Sequence, residues 1–173
     1  MDDAITKSLE QFRNRKIRSV VTVDLLLEQS LIDYISVKIG DKFEQEREIV
    51  SALKVGLRAL YITWWVEAEV NNGGFNQYYW NSAGRFADEA PNAFVYFGAE
   101  QYAELMREAN RVHAAEFDAI DKHQSMGTIE AFSASYGESK LGPLDDRFYA
   151  LTENLSAMRI AKIRAMRDDF TGA

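Results

Sequence analysis

Trp64-Trp65-Val66-Glu67-Ala68-Glu69-Val70-Asn71-Asn72-Gly73-Gly74-Phe75-Asn76-Gln77-Tyr78-Tyr79-Trp80-Asn81 is the most distinctive run in the chain. Upstream of it, Ile49, Val50, Leu53, Leu57, Leu60, Tyr61, Trp64 and Ala68 recur at helical spacing. That spacing predicts the buried face of a long helix from about Glu46 to Val70, with Gly56 as a point of bending. Asn71-Asn72-Gly73-Gly74 ends the segment, because Asn and Gly accept positive φ most readily. Gly73 and Gly74 let the chain turn tightly, and Asn71, Asn72, Asn76 and Gln77 read as the groups that satisfy peptides orphaned by such a turn. Phe75, Tyr79 and Trp80 then fill the space between two helices.

The helical period continues on both sides. Leu27, Leu31, Tyr34 and Ile35 repeat after a cap candidate at Thr22 or Asp24. Pro91 suits the first turn of a further helix, where its missing N–H is not needed. From Gly98 onward, Tyr102, Leu105, Met106, Ala109, Val112, Phe117 and Ile120 hold one face for about six turns. Thr128 caps the next helix, residues 137–143 form a turn-rich connection, and Leu151, Leu155, Met158, Ala161 and Ala165 mark a last helix ending near Phe170. Only Ser19 to Val23 (SVVTV) reads as strand, and five residues alone make no sheet. The expected architecture is all-α, a compact single domain of about six to eight helices. Residues 1–43 read as an N-terminal appendage that packs loosely or as the first helices, and residues 44–173 as the all-helical domain.

At 173 residues, with 47% hydrophobic and 27% charged side chains, the chain matches a globular protein able to bury its own core. The absence of cysteine excludes disulfide scaffolds, thiolate metal sites and cysteine nucleophiles. The start, MDDAITKSLEQ, is too polar for a signal peptide, and the apolar stretch from Ala59 to Val66 is far short of the roughly 20 residues of a membrane span. A cytoplasmic protein without membrane contact is expected. The net charge of −7 lies wholly in residues 61–140, which hold five basic and twelve acidic side chains. Such a field repels nucleic acid and attracts basic partners.

Chemical motifs are sparse. His113 and His123 stand ten residues apart, so a straight helix would separate them by about 15 Å and prevent a shared metal. Glu116 follows His113, the reverse of the Glu-x-x-His order of carboxylate-bridged di-metal sites, and His113 and His123 read as surface or half-buried side chains. No phosphate-binding glycine loop or nucleophile elbow is present, and Glu67 and Glu69 point about 200° apart on a helix. No catalytic residue, metal or cofactor is assigned. The candidate partner-binding residues are acidic: Glu100, Glu104, Glu108, Glu116, Asp118 and Asp121. The first three sit at i,i+4 intervals opposite the Tyr102 face, rising about 6 Å per step, a spacing comparable with successive phosphates. Arg107 and Arg111 share that face and can pair with Glu104 and Glu108. The alternative is a small-molecule or catalytic pocket lined by Asn71, Asn72, Gln77, Tyr78 and Trp80.

The run from Glu69 to Asn81 resembles the signature of a bacterial DNA-mimic protein family, first catalogued as a domain of unknown function. The Phe94–Met106 stretch with its Gly98-Ala99 step and the Leu144-Asp145-Asp146-Arg147-Phe148-Tyr149 segment add to the resemblance, which covers roughly residues 50–170. Asn71, Asn72, Gly73, Gly74, Phe75, Gln77 and Asn81 match the signature and read as structural. The resemblance implies an all-helical fold, a homodimer, and an acidic surface that takes the place of DNA on a basic partner such as a transcription factor.

Overall fold

The computed structural model describes residues 20–117, 123, 125–126 and 128–171. The fold is all-α: among the described residues there are eight α-helices, three short 3-10 helices and no strand. The α-helices are α1 (Val20–Ile39), α2 (Glu46–Ser51), α3 (Val55–Trp80), α4 (Ala90–Phe97), α5 (Glu100–Ala115), α6 (Ile129–Glu138), α7 (Gly142–Ala150) and α8 (Leu155–Ala165). Residues 20–23 of the strand-like run are the first turn of α1 instead. They lead without a break into the Leu27–Ile39 repeat, where each added residue gains a helical hydrogen bond and an isolated strand would gain none.

The long helix expected from Glu46 is two helices. The Leu53 N–H turns back to the Val50 carbonyl at 3.1 Å, a tightened turn that closes α2 before α3 begins. Gly56 does not bend α3 but lies in its first turn, where a Cβ would come within 2.8 Å of the Phe170 ring. Pro91 sits in the first turn of α4 as expected. The Thr128 hydroxyl caps α6 by accepting the Ala131 N–H at 3.1 Å.

Two compact units share the chain, and they do not follow its order. Among the described residues, the first combines residues 20–61 with 96–98 and 154–171. Leu31, Ile32, Ile35 and Ile39 of α1 and Leu155, Ile160 and Ile163 of α8 are buried in this unit. Arg159 of α8 is 1% exposed and donates to the Glu28 carboxylate of α1 at 2.8 Å, while the Ser156 hydroxyl donates to the other Glu28 oxygen at 2.6 Å. The inward face of α8 is therefore Leu155, Arg159, Ile160 and Ile163, not the expected Met158, Ala161 and Ala165. Hydropathy assigns an arginine to the surface; a buried carboxylate on another helix brings this one inside. The Tyr61 hydroxyl donates to buried Glu46 at 2.7 Å in the same unit.

The second unit holds residues 62–95 and 99–153. Its interior is a chain of rings. Phe75 meets Phe148 edge-on at 5.8 Å, Phe148 meets Tyr102 edge-on at 5.2 Å, and Tyr102 stacks on Phe94 at 5.5 Å. Trp80 tilts against Phe132 of α6 at 5.0 Å. On α5 the buried face is Tyr102, Ala103, Leu105, Met106 and Ala109; it ends before Phe117, which is 54% exposed, and Ile120 lies outside the described residues. Sequence spacing alone overextends that face because α5 itself stops at Ala115.

Candidate functional site

α3 does not stop at the Asn-Asn-Gly-Gly run; it breaks there and resumes. Gly73 (φ −160°, ψ 29°) and Gly74 (φ 72°, ψ −177°) leave the helical region, and both arms remain helical on either side. The Gly74 conformation is one that only glycine adopts without strain. Space requires glycine as well: a Cβ on Gly74 would stand 2.7 Å from the Asp145 carboxyl carbon, and one on Gly73 would stand 2.9 Å from the Tyr136 hydroxyl.

A break inside a helix orphans carbonyls on one arm and N–H groups on the other. These groups are satisfied by side chains from far along the chain, not by the local amides that the sequence suggested. The Tyr149 hydroxyl of α7 donates to the Val70 carbonyl at 2.7 Å, and the Tyr136 hydroxyl of α6 donates to the Gly73 carbonyl. Asp145 of α7 accepts the Phe75 N–H at 2.7 Å and so caps the second arm. Both arms stay helical, so the orphaned groups open toward α6 and α7, which supply the partners. Burial raises the Asp145 pKa, the Phe75 hydrogen bond opposes this, and Asp146 adds to it. Burial, then the Asp145 charge, raises the pKa of Tyr136 and of Tyr149, so both phenols remain protonated donors.

Amide side chains after the break tie back to the first arm and across to α6. Gln77 and Asn81 each donate to the buried Glu69 carboxylate, at 2.7 and 2.8 Å, and Asn76 donates to Ser135 at 2.7 Å. Asn71 and Asn72 are exposed, whereas Tyr78 is fully buried and Trp80 is partly so. The Gln77 amide is engaged with Glu69, and none of Asn71, Asn72, Gln77, Tyr78 and Trp80 lines the cleft described below. Asn81, Gly73, Gly74 and Phe75 belong to the same structural block. Asp145, Tyr136 and Tyr149 were not singled out by sequence reasoning as partners of the turn. Asp145 and Tyr149 stand in the Leu144–Tyr149 segment, which carried part of the family resemblance.

The acidic candidates divide. Glu100 and Glu104 are exposed on α5. Glu108 does not pair along its own helix; it forms an ion pair with Arg147 of α7 at 2.6 Å, because α7 brings a guanidinium across to it. Arg107 and Arg111 are exposed. Glu116 follows the end of α5, where its carboxylate accepts the Lys140 N–H at 2.9 Å and the Ser139 hydroxyl at 3.0 Å, tying down the connection to α7. Asp118 and Asp121 lie outside the described residues.

A cleft of about 560 Å³ opens beside Tyr79, Arg85, Asp88, Asn110, His113 and Phe117. The His113 ring stacks on Tyr79 at 3.9 Å and 10°, and burial lowers its pKa against the opposing influence of Glu116. The Tyr79 hydroxyl donates to Asn110, whose amide donates onward to the Ala87 carbonyl. No described helix is long and apolar enough to cross a membrane.

The division into units concentrates the charge further. Residues 62–95 and 99–153 hold fifteen acidic and six basic side chains, net −9, while the remainder of the chain sums to +2. No curated protein and no solved structure matches the chain. A family model described as DMP19-like protein matches residues 51–166. That match spans more than half of the chain and takes in the helix break together with Tyr136, Asp145 and Tyr149, which complete it. The chain belongs to the DMP19-like protein family.

Proposed function

We propose that this is a non-enzymatic interaction protein that binds a basic, DNA-binding protein by presenting carboxylates in place of phosphates. The observation that carries the reading is the charge of the second unit: net −9, against +2 for the rest of the chain. Membership of the DMP19-like family supports it. A field of one sign steers a basic partner and repels nucleic acid. Glu100 and Glu104 are the exposed members of the α5 row and are assigned to the contact; Glu108 and Glu116 serve the fold, through Arg147 and the 139–140 backbone. The family resemblance extends the proposal to a homodimer and to a transcription factor as the partner.

The immobilised chain should capture basic proteins from a cell lysate and release them to added duplex DNA as well as to salt. The double variant Glu100→Gln/Glu104→Gln should weaken capture and flatten its salt dependence, since screening acts on fewer exposed charges. Capture indifferent to duplex DNA would overturn the mimic reading. An unchanged salt dependence in the double variant would remove α5 from the contact.

A further inference from the structure

The helix break also builds a surface feature that its structural role does not require. Tyr149 is 53% exposed and Tyr136 is 41% exposed, yet the hydroxyls of both are tied to backbone carbonyls three residues apart, Val70 and Gly73. Each ring is held at its tip while much of its surface faces solvent. The Asp145 charge acts on both phenols, and exposed Asp146 follows it in the chain. Among the described residues no Lys or Arg pairs with either aspartate; the adjacent Arg147 is taken by Glu108. The spot therefore carries tethered aromatic rings and two carboxylates, one of them the cap of Phe75, with no ion-pair partner among the described residues.

We infer that this surface is a receptor for an arginine side chain of a basic protein partner. A guanidinium stacks on tyrosine and simultaneously donates to a carboxylate, which a point-charged ammonium does less well. The rings are already immobilised by their hydroxyl bonds, so little further rotamer freedom is lost on binding. Charge complementarity selects the occupant: the site is anionic, it lies in the acidic unit, and an aromatic face rewards a flat cation. The inference rests on the proposed function only in taking the partner to be a basic protein.

The test titrates the full chain with acetyl-Arg-Gly-Arg-Gly-Arg-amide and follows tyrosine ring resonances by NMR. Saturable shifts confined to Tyr136 and Tyr149 are expected, with weaker shifts from the matched lysine peptide. Asp146→Asn and Tyr149→Leu should each weaken binding about threefold or more, as loss of one cation–π or charge contact would. Tyr149→Phe keeps the ring without its tether and should fall between wild type and Tyr149→Leu. Glu100→Gln/Glu104→Gln should leave the ring shifts in place. Shifts spread over all tyrosines, or equal losses in the α5 double variant and in Asp146→Asn, would mean diffuse charge attraction and overturn the inference. If the peptide binds at the tyrosines while lysate capture is indifferent to duplex DNA, the mimic reading fails and this site stands.

Discussion

Replacing Gly74 by alanine tests the helix break directly. The φ of 72° with ψ of −177° lies where a side chain brings strain of about 1–3 kcal/mol. The new methyl would also sit on the Asp145 carboxylate and displace it from the Phe75 N–H. Losing a hydrogen bond to a charged group costs about 1.5–3 kcal/mol. Together these amount to about 2.5–6 kcal/mol, a large share of the roughly 5–15 kcal/mol that stabilises a typical domain. Urea titration followed by far-UV circular dichroism reads the loss as a lower midpoint. A double-mutant cycle isolates its origin. In an Asp145→Gly background the clash is absent and the capping bond is already gone, so only the strain of about 1–3 kcal/mol should remain. A Gly74→Ala variant within about 0.5 kcal/mol of wild type, or one with the same cost in both backgrounds, would refute the account of the break.

Two further outcomes follow from buried charge. The folded-state pKa of Asp145 is raised above its ordinary 3.8, chiefly by burial, so the native state holds that proton more tightly than the unfolded chain. Its contribution to stability is fully present below the unfolded pKa and is lost as pH rises through the folded pKa. The stability difference between wild type and Asp145→Asn should accordingly shift against wild type as pH rises above 3.8, and a difference flat with pH would contradict this. At the Glu28–Arg159 pair, Arg159→Met alone strands a buried carboxylate and should cost about 3–5 kcal/mol by denaturant titration. The double change Glu28→Met/Arg159→Met should recover most of that loss, and failure to recover any would show that the pair matters for more than mutual compensation.

Local physics explains which parts of the molecule were legible in its sequence. Helical periodicity marks a face wherever apolar residues alone line it, as with Leu31 and Ile35 on α1 or Tyr102, Leu105 and Ala109 on α5. The Thr128 cap and Pro91 in the first turn of α4 are short-range effects, decided within a few residues. The location of the chain break at Asn71–Gly74 was legible for the same reason, since glycine conformational freedom belongs to the residue itself. What happens at that break was not. Whether a helix ends there or resumes depends on who satisfies its orphaned groups, and the partners are Tyr136, Asp145 and Tyr149, more than sixty residues away. Arg159 illustrates the same limit: its sequence neighbours mark it as surface, and its buried carboxylate partner, Glu28, stands on another helix. Glu108 and Glu116 read as members of an acidic row, yet one faces Arg147 and the other the 139–140 backbone, leaving Glu100 and Glu104 outward. Composition determined the total charge of −7 and chain order placed it in the middle of the sequence; only packing drew the boundary of the unit, residues 62–95 and 99–153, whose side chains sum to −9, because a unit is set by which helices bury one another's faces.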